Sequence, residues 1–148
     1  MFKPSVVFWA AILLFVPQHA FADNASSQKY KETLEALQKS DSICMDQAGT
    51  SADMSDCQTK FHNGLDTLLN ESYRSLRNAV KEDKAYHEAL RTEQLAWIKL
   101  NKAILDNVLQ TGGGGSIDKI TAASVSNQLL VNRIELFIYL HQDHHSDD

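Results

Sequence analysis

Three sets of residues have the types that chemistry uses: two cysteines, Cys44 and Cys57; a histidine group, His141, His144 and His145; and a scatter of Ser, His and Asp. The cysteines stand too far apart for a CxxC redox motif, and an even count of two permits a single connectivity, so a Cys44–Cys57 disulfide is expected. Closing a loop of about 14 residues should stabilise the fold by roughly 3 kcal/mol. The histidines have a spacing that can clamp zinc, nickel or copper on a last helical turn. They also sit in a polar tail from about 141 to 148, where a solvated and frayed end is the commoner state, so no metal or other cofactor is assigned. His62 and His87 fall on predicted helix faces and need no functional explanation. No GxSxG elbow or other ordered nucleophile context gathers Ser, His and Asp, and Glu82 and Asp83 lie at a predicted helix boundary with their charges free to solvate. The residues therefore point to binding and away from catalysis.

The elements that position these residues read as helices. From Gln28 to Lys39, Tyr30, Leu34 and Leu37 mark one face of a short first helix. Turn residues follow around Gly49, and Thr50 or Ser51 can cap a second helix whose first turn holds Asp53. Met54, Cys57, Phe61, Leu65, Leu68, Leu69, Tyr73, Leu76 and Val80 then recur in steps of mostly three and four, predicting a long amphipathic helix from about Ala52 to Val80. Asp83 is a plausible cap for a third helix carrying Tyr86, Leu90, Trp97, Leu100, Ile104 and Val108. Four consecutive glycines, Gly112, Gly113, Gly114 and Gly115, end it. Ser116 can cap a fourth helix with apolar residues from Ile117 to Leu140. No strand pattern or internal repeat competes. The expected fold is all-α: a compact bundle of three long antiparallel helices, a shorter N-terminal helix and one disulfide.

The first 22 residues have the plan of a secretory signal peptide: Lys3 in the n-region, an apolar run from Val6 to Val16, and the small-x-small triplet Ala20-Phe21-Ala22. The apolar run of about 11 residues falls short of the roughly 20 that a bilayer span needs, so cleavage after Ala22 is expected and no membrane anchor after it. The 148 residues less 22 leave a single domain of 126, from Asp23 to Asp148, in an oxidising periplasmic or secreted compartment. Loss of Lys3 takes the formal charge from −5 to −6. Such a surface disfavours nucleic acid and favours a basic protein partner through steering, although an acidic excess also serves solubility alone. Asn24-Ala25-Ser26 and Asn70-Glu71-Ser72 fit the glycosylation pattern and read as chance matches.

Two further features stand out. Trp97, within Gln94-Leu95-Ala96-Trp97-Ile98, is in helical register with Leu90 and Ile104 and reads as a core residue whose indole N–H needs a partner. The loop Gly112 to Ser116 is exposed between helices. It either brings backbone close to a partner or is a flexible link that turns the chain.

Taken in order, Cys44 to Cys57 around Ala48-Gly49-Thr50 and Met54, then Leu69-Asn70 and Tyr73, then Gln94 to Ile98, then Gly114-Gly115-Ser116 and Arg133, resemble the LprI-type lysozyme-inhibitor family over about Ile43 to Leu136. The resemblance implies a small exported helical protein that binds and inhibits a lysozyme. It also shows departures. Where the family often has an Arg-Asp pair after the Trp, this chain has Asn101 and Lys102. Where it has two further cysteines, this chain has Leu105 and Val125, and Leu130 stands at a Thr position. The joint loss of the two cysteines implies former partners, replaced by an apolar pair packing between the third and fourth helices.

Two functional readings follow. The first is an inhibitor whose protruding loop, Gly112 to Ser116, occludes the cleft of a basic muramidase. The second is a periplasmic interaction or adaptor module without lysozyme inhibition. The sequence does not fix oligomeric state.

Overall fold

The computed structural model of the chain describes residues 19–143, with side chains from position 25. Most of the stretch read as a signal peptide, residues 1–18, and the tail histidines His144 and His145 lie outside the described residues. Four helices occupy the described chain: α1 (His19–Gln47), α2 (Ser51–Ala79), α3 (Lys84–Thr111) and α4 (Ser116–Asp143). The all-α bundle is what the periodicity predicted, and the one disulfide is what the cysteine count predicted.

The starts of the helices follow local chemistry. Thr50 caps α2 with its hydroxyl on the Asp53 N–H (3.1 Å), while the Asp53 carboxylate accepts from the Thr50 N–H (3.0 Å), a reciprocal capping box. The Thr50 hydroxyl also donates to Asp53 Oδ2 at 2.8 Å, and this bond foremost, with the backbone N–H groups of Thr50 and Gly49, holds the Asp53 carboxyl below its ordinary range. Asp83 caps α3 by accepting from the Tyr86 N–H at 3.0 Å, as expected. The fourth start differs from expectation. Ser116 is the first residue of α4, and Gly115 holds the cap position: its carbonyl accepts from the Lys119 N–H (3.2 Å) and its own N–H donates to Asp118 Oδ2 (3.0 Å).

The N-terminal helix also differs, being as long as the others. Periodicity fades after Lys39 because Ser40, Asp41 and Ser42 are weak helix formers, but Cys44 and Met45 beyond them are tied to α2. Packing and a covalent link override propensity there. The Cys44–Cys57 disulfide forms with Cα atoms 5.7 Å apart, inside the ordinary range. Two turns further on, Gly64 lets α1 approach closely: a Cβ there would stand 2.5 Å from Leu37 Cδ2.

Helix α4 is central and packs against all three others, α1 and α2 most extensively. Its Leu130, Val131, Ile134, Phe137 and Ile138 join Leu65, Leu68, Leu69, Leu76 and Val80 of α2, Tyr30 and Leu34 of α1, and Leu90 of α3 in one core. Helix α3 lies against α4 and contributes few buried residues, Leu90 and Gln94. No described helix is long and apolar enough to cross a membrane.

Candidate functional site

Four of the family-motif residues read from the sequence, Tyr73, Gln94, Trp97 and Arg133, meet at one junction of α2, α3 and α4. Its centre is Arg133 of α4, 3% exposed. Its Nη1 and Nη2 donate to both oxygens of Glu93 (2.5 and 2.8 Å), and its Nε donates to Gln94 Oε1 at 2.8 Å. The guanidinium lies 4.5 Å from the Phe137 ring centre and 5.5 Å from that of Trp97. Phe137 in turn stacks on Tyr73 at 5.5 Å, and Arg77 lies over the other side of the junction, 5.8 Å from the Tyr73 ring. Arg77 also donates to His87 Nε2 at 2.7 Å, joining the ends of α2 and α3.

Three donors of a buried cation are thereby satisfied by a bidentate carboxylate and a carboxamide, and the guanidinium lies over two aromatic rings. The hydrogen bonds from Arg133 hold the Glu93 carboxyl below its ordinary range, its Coulombic attraction adding to them against a partial burial that acts the other way. Trp97 is partly buried against the core, as its register indicated. Leu69 is a core residue, whereas Asn70 is exposed, its amide turned back on Asp66. Glu93 and Phe137 complete the junction and were not singled out from sequence. Their one signal is helical spacing, Glu93 beside Gln94 and Phe137 one turn after Arg133.

Two other polar layers cross the core. Asn127 donates to the Gln58 carbonyl and side-chain oxygens (3.1 and 2.8 Å), and its own oxygen is 3.0 Å from His62 Nδ1. Near the other end, His141 Nε2 meets the Ser72 carbonyl at 3.2 Å and its ring lies against Tyr30. His141 is 1% exposed, so the expectation of a frayed tail starting there is corrected. It is a core residue, because α4 runs on to Asp143 and turns this histidine inward. Among the described residues no group of His, Cys, Asp or Glu is arranged to hold a metal ion.

The glycine loop lies at the opposite end of α4 from this layer. Gly112 to Gly115 wrap around the Asp118 carboxylate: a Cβ on Gly112 would stand 2.9 Å from Asp118 Cβ and Cγ, and those on Gly113 and Gly115 would touch its Oδ2 at 3.6 and 3.7 Å. Gly114 has φ +78°, a conformation side chains rarely adopt. A turn with its own internal contacts therefore replaces the limp linker that four glycines alone would allow. Arg133 is 17 residues from Ser116, so the junction and the loop are about 25 Å apart along α4.

The departures from the family pattern fall between these two places. Lys102 is exposed and paired with Asp106 at 2.7 Å, and Asn101 is half-buried. Leu105 and Val125 are both half-buried on the packed pair α3 and α4. Counted from the Arg133–Glu93 contact, they lie one turn apart along the axis, and Cβ atoms lean toward helix N-termini, so the two lean toward each other.

No curated protein and no solved structure is significantly similar to the chain. Residues 44–136 match the family described as lysozyme inhibitor LprI, a span that begins at the disulfide, takes in the Arg133 junction and includes the whole glycine turn. The chain belongs to the LprI lysozyme-inhibitor family.

Proposed function

We propose that residues 1–22 direct export, that cleavage follows Ala22, and that the domain from Asp23 onward works in the periplasm or outside the cell by binding a muramidase and occluding its cleft. It acts as a binding protein and not as an enzyme. The observation that carries this reading is the family match over residues 44–136. Two physical features support it. The formal charge of −5, or −6 without Lys3, would speed encounter with a basic lysozyme. The turn Gly112 to Ser116 is narrow, exposed and held in shape by Asp118, which suits entry into a cleft at a small ordering cost.

A lysis assay with the purified mature domain and a basic animal-type lysozyme tests the proposal. Inhibition is expected at low salt and should weaken at moderate salt as the steering is screened. Full lytic activity at every salt concentration, with no binding by calorimetry, would instead favour an interaction module with another target. Mass spectrometry of envelope protein should find Asp23 as the first residue, and an intact Met1 would refute the cleavage.

A further inference from the structure

We infer that the muramidase is gripped by two side chains flanking the glycine turn, Leu109 of α3 and Ile117 of α4. The inference rests on the inhibitor reading above and adds to it the residues that make contact.

Glycines shape a loop but offer a partner no side chain, so apolar anchoring has to come from the shoulders of the turn. Leu109 and Ile117 are 50% and 61% exposed. They also stand at the same height on the two helices. Leu109 is 16 residues on from Glu93, and Ile117 is 16 residues back from Arg133, so the register fixed by that ion pair brings them level across the antiparallel helices. The result is an apolar pair, one residue on each side of a turn that carries no bulk.

This tip stands clear of the rest of the bundle. Asn127 bonds to Gln58 and His141 to Ser72, so α2 and α4 run parallel with a constant offset of 69 residues. That offset places Ser51, where α2 begins, level with Ile120. Ser116 therefore projects about 6 Å beyond the start of α2, and the glycine turn further still. Around the projection the charge is acidic. Asp46, Asp53, Asp56 and Asp118 lie at this end with Lys119, while Lys102 and Asp106 neutralise each other. An apolar pair on a narrow projection, with carboxylates set behind it, fits an open cleft with a basic rim. A muramidase that binds an anionic-substrate mesh and carries net positive charge has that chemistry.

The test is calorimetric titration of the mature domain with a basic animal-type lysozyme, comparing wild type with Leu109→Asp, Ile117→Asp and a control, Leu95→Asp, on the exposed part of α3 far from the tip. All three sites are exposed, and unchanged circular dichroism and melting temperature check folding. Loss of affinity by about ten-fold or more at Leu109 and Ile117, with little change at Leu95, is the expected result. Wild-type binding that neither tip substitution weakens would overturn the inference while leaving the inhibitor reading intact. If the wild-type domain itself binds no lysozyme, the reading fails and the inference with it.

Discussion

The Arg133–Glu93 pair predicts an unequal response to removing its two ends. Arg133 is 3% exposed on its side chain and Glu93 50%. Truncation by Glu93→Ala leaves a guanidinium in the core with only Gln94 Oε1 and two ring faces to compensate it. Stranding a buried charge costs 3–5 kcal/mol in general, and the surviving partners place this case at the lower end, about 3 kcal/mol. Removal of the cation by Arg133→Met has a smaller effect. Glu93 rehydrates at the surface, the Met stem keeps contact with Trp97 and Phe137, and the chief loss is the partner of the buried Gln94 oxygen, about 1–2 kcal/mol. The double variant should resemble Arg133→Met alone, since no charge is left to strand. Urea unfolding followed by circular dichroism measures all three. If Arg133→Met proves more damaging than Glu93→Ala, or the double variant sums the two losses, the pair is not holding a buried charge in the way described. The same pair sets a pH dependence. The Glu93 carboxyl titrates lower in the folded protein, so its contribution is complete above the unfolded value of about 4.3 and is lost as pH falls through the folded one. Glu93→Gln should remove that acid-side loss and lower stability at neutral pH.

Three further outcomes follow from the fold. Reducing the Cys44–Cys57 bond, or replacing both cysteines by Ser, should cost about 3 kcal/mol and lower the melting temperature without abolishing helicity; thiol labelling of the native, unreduced protein would contradict the bond. Thr50→Ala should cost about 1 kcal/mol in urea unfolding, because the Asp53 N–H loses its acceptor, while Ser51→Ala should have little effect. Leu105→Cys with Val125→Cys should give a second disulfide on oxidation, detectable as faster gel migration; no crosslink would mean that the resemblance misplaces the second half of the chain.

What could be read from sequence depended on how each helix meets the core. In α2 one face is buried and the other wet, so Leu65, Leu68, Leu69 and Leu76 recur at helical spacing and the boundaries fell within a residue or two of Thr50 and Val80. In α4 burial on several sides removes the contrast, and its inward polar residues, Asn127, Arg133 and His141, look like surface until their partners are known. Those partners, Gln58, Glu93 and Ser72, lie 40 or more residues away in the chain, beyond the reach of any local pattern. The same limit applies to α1, whose continuation past Lys39 depends on Cys57 and Gln58 of the next helix. The glycine turn was visible, but its organisation around Asp118 was not, since four glycines are equally compatible with a loose link.

The position of the motif residues bears on what the family match establishes. Leu69, Tyr73, Gln94, Trp97 and Arg133 lie in or against the core, where they join α2, α3 and α4. A side chain in that position serves the fold first, because it has little surface left to offer a partner. Asn70 and the glycine turn, the latter about 25 Å from Arg133, are the motif elements that face solvent, and the inhibitor reading places recognition at the turn. The substituted Arg-Asp pair lies between Arg133 and the turn. Lys102 stands on the exposed side of α3 and is held by Asp106, so this departure alters the approach to the tip and leaves the Arg133 junction intact. A chain can thus keep the architecture that defines the family while its partner is set by a few exposed residues at one end, and substitutions at Leu109, Ile117 and Lys102 are where a difference in target should be sought.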